Sequence, residues 1–186
     1  VFARLEDNTA DAIQHLEQLA KKEHWHINLD GITVNFDRFL GKGTFGAVFS
    51  ANFRGLHVAV KIPRRSDSGK GCIELANEVR VLRQVRHENI VAFYGAFWDP
   101  LHGRLALVLE FVRGRRLDHY IWGHDDAVCG RCKDEAPQEN ARFAILQGVC
   151  LALRYLHAHQ PLILHGDLKP SNIMVETVGE CPHEVG

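Results

Sequence analysis

A two-lobed α+β arrangement is the fold that these 186 residues predict, and three observations carry it. Short apolar runs broken by glycine crowd residues 25–62, one helical repeat follows, and after two more strand-like runs the remainder is mainly helical. Strands first and helices later is the α+β order, in a chain long enough for one domain or two small lobes. At 46% hydrophobic and 24% charged residues the composition is that of a globular protein. A chain of this size buries a core without disulfides or metals.

Taken in order, residues 9–24 read as an amphipathic helix, with Asn8 or Thr9 as cap and Ile13, Leu16, Leu19 and Ala20 at helical spacing. Residues 1–30 are therefore set apart as an N-terminal helical extension. The apolar runs 36–40, 47–53 and 57–62 predict strands, with Arg54-Gly55 as a tight turn between the last two. Leu75, Val79, Leu82 and Val85 predict a helix over 72–86. Two further strands are expected at 90–97 and 105–111, and the polar stretch 123–137 as a loop ending in proline. Trp98 and Trp122 are expected in surface loops. A long helix over 138–159 would carry Phe143, Leu146, Val149, Leu153 and Leu156 on one face, and short apolar pieces at 162–164 and 173–175 follow. The chain has no internal repeat.

Charge and cysteine content exclude several classes. Twenty-two basic side chains face 23 acidic ones, so no global positive field draws the chain to nucleic acid, and Arg64-Arg65 and Arg115-Arg116 read as solvated faces. Five unevenly spaced cysteines (Cys72, Cys129, Cys132, Cys150 and Cys181) argue against a disulfide framework and fit a reducing, cytoplasmic compartment. Cys129 and Cys132, even with His124, Cys181 and His183, do not repeat a zinc-ligand spacing and read as an ordinary loop. The longest apolar stretch, 105–112, is too short to span a bilayer, and no signal peptide is evident.

Three motifs carry chemistry. Gly41, Lys42, Gly43, Thr44, Phe45 and Gly46 form a G-x-G-x-x-G loop, whose glycines let backbone approach phosphate oxygens. Alone the pattern is weak. In a dinucleotide fold the third glycine opens a helix, whereas here it runs into strand, turn and strand, the setting of a lid over ATP. Lys61 closes an apolar strand, where an ammonium is costly unless it meets an anion. Glu78, one position ahead of Val79 in the helical stripe, can face the same sheet; Glu74 is the competing carboxylate, disfavoured by its spacing to His87. The most specific segment is His165-Gly166-Asp167-Leu168-Lys169-Pro170-Ser171-Asn172.

In order and spacing these segments, together with residues 58–61 and His87-Glu88-Asn89-Ile90-Val91, resemble the eukaryotic-type protein kinases over about residues 32–175. The resemblance implies a protein-kinase-like two-lobed fold: a kinase domain over 31–186, with a complete N-terminal lobe at about 31–112 (antiparallel sheet plus one helix) and a partial C-terminal lobe at about 113–186. It implies ATP and Mg2+ as cofactors and a protein serine or threonine hydroxyl as substrate, with no nucleic acid and no membrane segment. Asp167 would orient the hydroxyl and accept its proton, Lys169 would neutralise the transferring phosphoryl group, and Asn172 would ligate magnesium. Leu109 falls at the gatekeeper position of a hinge strand; backbone groups of Glu110 and Val112 would bond adenine, and Val48, Ala59 and Met174 would sandwich it. Lys169-Pro170 resembles the serine/threonine-specific form, and the stretch 25–40 is similar to the tyrosine-kinase-like branch. His165 is a packing and hydrogen-bonding residue by the same resemblance.

Two departures stand out. Gly166 occupies a position where most members have an arginine that pairs with an activation-segment phosphate. No Asp-Phe-Gly follows residue 175, so this stretch lacks the principal magnesium carboxylate and alone is expected to be inactive, the apolar face of 138–159 is expected to be partly exposed, and an Asp-Phe-Gly beyond residue 186 is the feature that would favour an enzyme. The rival expectation is a pseudokinase-like nucleotide-binding or scaffolding module.

Overall fold

The computed structural model of the chain describes residues 18–42, 46–63, 77–99, 104–122 and 139–176. The described residues belong to two compact units, one formed by residues 1–86 and 91–111, the other by 87–90 and 112–186.

The first unit is a five-stranded antiparallel sheet in the order β1-β2-β3-β5-β4, accompanied by two helical stretches, α1 at 18–22 and α2 at 77–82. The strands are β1 (Ile32–Lys42), β2 (Gly46–Phe53), β3 (Leu56–Pro63), β4 (Phe93–Asp99) and β5 (Arg104–Glu110). The β2–β3 turn is tight because Arg54 and Gly55 both take positive φ, 51° and 88°, and the Asn52 side chain accepts the Gly55 N–H at 2.8 Å. Alternation along the central strands gives the sheet two buried faces. Leu105 and Leu107 pack with Val79, Phe93, Ala20 and Trp25, whereas Ala106 and Val108 pack with Val58, Val60, Ala51 and Ile27. Lys61 pairs with Leu107 across the strands and so lies on the face that Val79 of α2 covers.

The sequence sets residues 1–30 apart as an extension; within its described part, Ala20, Trp25 and Ile27 are buried in the core of this unit. The backbone of 25–27 runs along β4: the Ile27 N–H donates to the Ala96 carbonyl at 2.8 Å, the Ala96 N–H to the Trp25 carbonyl at 2.9 Å, and His26 pairs with Ala96 in parallel. That approach requires glycine at 95. A Cβ there would sit 2.4 Å from the Trp25 carbonyl oxygen, and φ is +154°. Because the obstacle is backbone, Gly95→Ala is expected to destabilise the unit by about 2–3 kcal/mol, read as a lower urea midpoint at unchanged slope.

The expected surface loop at Trp98 is corrected. Trp98 lies in β4 and packs partly buried against the core, because pairing of β4 with β5 extends through Trp98↔Leu105. Residues 72–76 of the expected helix 72–86 and residues 9–17 of the expected helix 9–24 lie outside the described residues, as do Gly43, Thr44, Phe45, Glu74 and the stretch 123–137.

The second unit holds α3 (Leu117–Trp122), α4 (Glu139–His157) and a two-stranded sheet of β6 (Gly114–Arg116) and β7 (Met174–Glu176). Trp122 is exposed as expected but ends α3 rather than lying in a loop. The Leu117 N–H donates to the Ile173 carbonyl at 2.8 Å, which ties the start of α3 to the turn before β7. His87 packs on Tyr155 of α4, ring centroids 5.0 Å apart, and Asn89 lies against Gly148, where a Cβ would be 3.1 Å from the Asn89 Oδ1. On α4, Leu156 is buried while Phe143 and Leu146 are 69% and 63% exposed, so the apolar stripe is covered at one end only.

Candidate functional site

Within the first unit Gly41, Lys42 and Gly46, which flank the loop, and the strand lysine hold definite register positions on the sheet, and the helix carboxylate meets that lysine. Gly41 and Val48 are cross-strand partners, as are Lys42 and Ala47, Val48 and Lys61, and Ala59 and Leu109. Val48, Lys61, Ala59 and Leu109 therefore share one face. Ala59 is buried, Val48 and Leu109 half-buried, and Lys42 exposed. Gly46 is demanded by packing: a Cβ there would lie 2.1 Å from the Ile62 carbonyl oxygen of β3. The close approach that selects glycine at this position is thus to a neighbouring strand, a reason the motif alone does not disclose.

Lys61 Nζ donates to both carboxylate oxygens of Glu78, at 2.8 and 2.6 Å. The Lys61 side chain is 17% exposed, so its ammonium has given up most of its water and the carboxylate replaces it. Glu78 is the partner rather than a solvated helix charge. The ammonium also carries hydrogens able to meet phosphate oxygens.

Glu110, at the end of β5, grips Ala92 twice. Its own N–H donates to the Ala92 carbonyl at 2.9 Å, and its carboxylate accepts the Ala92 N–H at 3.0 Å. With its N–H committed, Glu110 could offer a purine only its carbonyl. Next to it, Phe111 stacks on the His57 ring at 3.9 Å, and His57 Nε2 is 2.8 Å from the Oγ of buried Ser50. His57 lies two residues before Ala59 on the same strand face; sequence reading missed this contact because two rings 54 residues apart in the chain leave no local signal.

In the second unit the segment from His165 to Asn172 closes on itself. Lys169 Nζ lies 2.8 Å from Asp167 Oδ2, and Asn172 Nδ2 donates to the same oxygen at 2.9 Å and to the Asp167 carbonyl at 2.8 Å. A 3-10 turn, Pro170–Asn172, brings Asn172 back; Pro170 suits its first position, where no N–H is needed. Lys169 above all, then Asn172, hold the Asp167 carboxyl below the ordinary aspartate value, so it stays ionised at neutral pH. Asp167 remains 52% exposed. Gly166 has φ +73°, and a Cβ there would meet nothing within 4 Å. Glycine relieves a left-handed torsion at this position and does not fill a tight space. Met174 is exposed on β7 opposite Arg116, and Val112 is half-buried before β6.

Among the described residues no group of His, Cys, Asp and Glu is arranged to hold a metal, and no helix is long and apolar enough to cross a membrane. Cys129, Cys132, Cys181, His124 and His183 lie outside the described residues.

The model of the protein kinase domain matches residues 34–181. A G-type lectin S-receptor-like serine/threonine-protein kinase of Arabidopsis thaliana is 33% identical over 183 residues, 95% of this chain and 20% of its own length. A second kinase of that description, SD1-13, is 40% identical over 74% of the chain and 16% of its own length. The serine/threonine-protein kinase VIK, also from Arabidopsis thaliana, is 31% identical over 84% of the chain and 34% of its own length. The chain thus spans about a third or less of the length of these relatives. With a five-stranded antiparallel sheet, a lysine–glutamate pair between sheet and helix, and the 34–181 match, the chain belongs to the protein kinase domain family.

Proposed function

We propose that this domain binds magnesium-ATP and that its parent protein transfers the γ-phosphate to a serine or threonine hydroxyl of a protein. The observation that carries the reading is the cluster in which Lys169 and Asn172 both bond the Asp167 carboxylate. An ionised, exposed carboxylate beside a fixed ammonium is what a hydroxyl needs as it attacks phosphorus. Asp167 orients the hydroxyl and takes its proton, the new O–P bond forms, and the bond to the departing ADP breaks. Lys169 offsets charge on the transferring group. In the first unit Gly41 to Gly46 with Val48 would cover the nucleotide, Lys61 would meet its phosphates, and Ala59, Leu109 and the Glu110 carbonyl would hold the base; in the second unit Val112 and Met174 are the proposed adenine contacts. Asn172 commits its Nδ2 to Asp167, so its amide oxygen is the group that would hold magnesium, which would supply charge neutralisation at the phosphates.

Serine/threonine selectivity is supported by Lys169-Pro170 and by the names of the relatives. The cysteine content supports a reducing compartment. The testing experiment incubates the parent protein, which carries this domain, with γ-labelled ATP, magnesium and generic serine- and threonine-containing protein substrates. Labelled phosphoserine or phosphothreonine is expected. Nucleotide binding without any transfer would replace the reading with a non-catalytic nucleotide-binding module.

A further inference from the structure

We infer that Glu23 is a positioning residue for the nucleotide site: through Arg83 it fixes helix α2 and thereby the pairing of Glu78 with Lys61. The inference rests on the ATP-binding reading above. Glu78 stands near the start of the described part of α2, and Arg83 directly follows its end at residue 82. Between them Val79 is fully buried against a core that includes Ala20 and Trp25. The Glu23 carboxylate accepts hydrogen bonds from Arg83 Nη1 and, at 3.1 Å, from the Trp25 indole N–H. Those two donors, Arg83 first, lower the Glu23 pKa, so the carboxylate is charged at neutral pH.

Arg83 Nε is buried and has no hydrogen-bond partner among the described residues, so the guanidinium depends on Glu23 for its anchorage. Glu23 in turn is held in place. Trp25 and Ile27, just beyond it, are hydrogen-bonded to Ala96 of β4, at the site that glycine at 95 keeps open. Helix α2 is therefore fastened to the sheet at both ends: by Lys61–Glu78 at one, and by the chain Arg83–Glu23–Trp25–β4 at the other. If the second fastening is lost, the helix is free to pivot about Val79. Glu78 then drifts from Lys61, and the ammonium loses the orientation in which it meets phosphate. Glu23 touches no substrate and acts only through the helix.

The test uses Glu23→Gln, which keeps the shape and an oxygen acceptor for the Trp25 indole while removing the charge, and Arg83→Met as an independent break. Amide hydrogen exchange and the affinity for a fluorescent ATP analogue are measured in the full chain. Both variants are expected to speed exchange over 77–82 by about tenfold, with β3 and β5 unaffected. Each is expected to weaken analogue binding by about fivefold, and Glu23→Gln to have no further effect in a Glu78→Gln background. Unchanged exchange at 77–82, a general loosening of the unit, or an equal loss of affinity in the Glu78→Gln background would overturn the inference. If the unmodified protein binds no nucleotide, the ATP reading fails, and the exchange pattern alone then decides the role of Glu23.

Discussion

Replacing Lys61 with alanine is expected to remove half or more of the stabilisation that magnesium-ATP confers on the domain. A ligand at about 100 times its dissociation constant stabilises the folded state by about 2.7 kcal/mol. A charge-assisted hydrogen bond to phosphate contributes about 1.5–3 kcal/mol, so its loss weakens binding about 10- to 100-fold. At the same ATP concentration the stabilisation then falls to about 0.4–1.4 kcal/mol. The variant's own stability without nucleotide should change much less. Its partner Glu78 is 29% exposed and recovers water when the ammonium is gone, so the cost is about 1 kcal/mol or below. A thermal melt of both proteins with and without magnesium-ATP separates the two effects. Equal nucleotide shifts in the two would remove Lys61 from the site. A wild-type melt indifferent to ATP would remove nucleotide binding altogether.

The parts of this structure that were legible in the sequence are those that local chemistry decides. The β2–β3 hairpin could be read because Arg54-Gly55 interrupts two apolar runs, and both residues do adopt the positive φ that a tight hairpin requires. The pairing of Glu78 with Lys61 followed from a buried-charge argument joined to helical spacing, and the structure puts both carboxylate oxygens on the ammonium. What could not be read is what distant partners impose. Strand β6 is three residues, Gly-Arg-Arg, with no alternation of its own; it exists through its register with β7, some 60 residues on. The backbone of residues 25–27 gains a place beside β4 only because Gly95 lacks a side chain, a condition set 70 residues away. Trp98 follows the same rule: the expected strand stops at Phe97, and pairing with Leu105 carries β4 through Trp98 to Asp99. The glycines at 46 and 166 show the complementary difficulty, one selected by a neighbouring carbonyl and the other by its own torsion.

Asp167→Asn should separate chemistry from binding. The substitution preserves size and leaves Lys61, Glu78 and the glycine loop untouched, so the thermal shift with magnesium-ATP should stay within error of the parent. Phosphate transfer, measured with the substitution placed in the whole protein that carries this domain, should fall by about 10²–10⁴-fold, because an amide oxygen orients a hydroxyl but does not take up its proton. The pH profile gives a second reading of the same group. Lys169, followed by Asn172, lowers the folded-state pKa of Asp167, so its charged form is retained until pH falls below the ordinary aspartate range. The acid limb of the transfer rate should therefore lie below that range. Removing the largest cause with Lys169→Met should move the limb to higher pH. The carboxylate is too exposed for this to register as a change in unfolding stability, so the effect belongs to the rate alone. Transfer in Asp167→Asn within threefold of the parent would mean that the proton goes elsewhere, and the catalytic assignment of Asp167 would fall even if ATP binding stood.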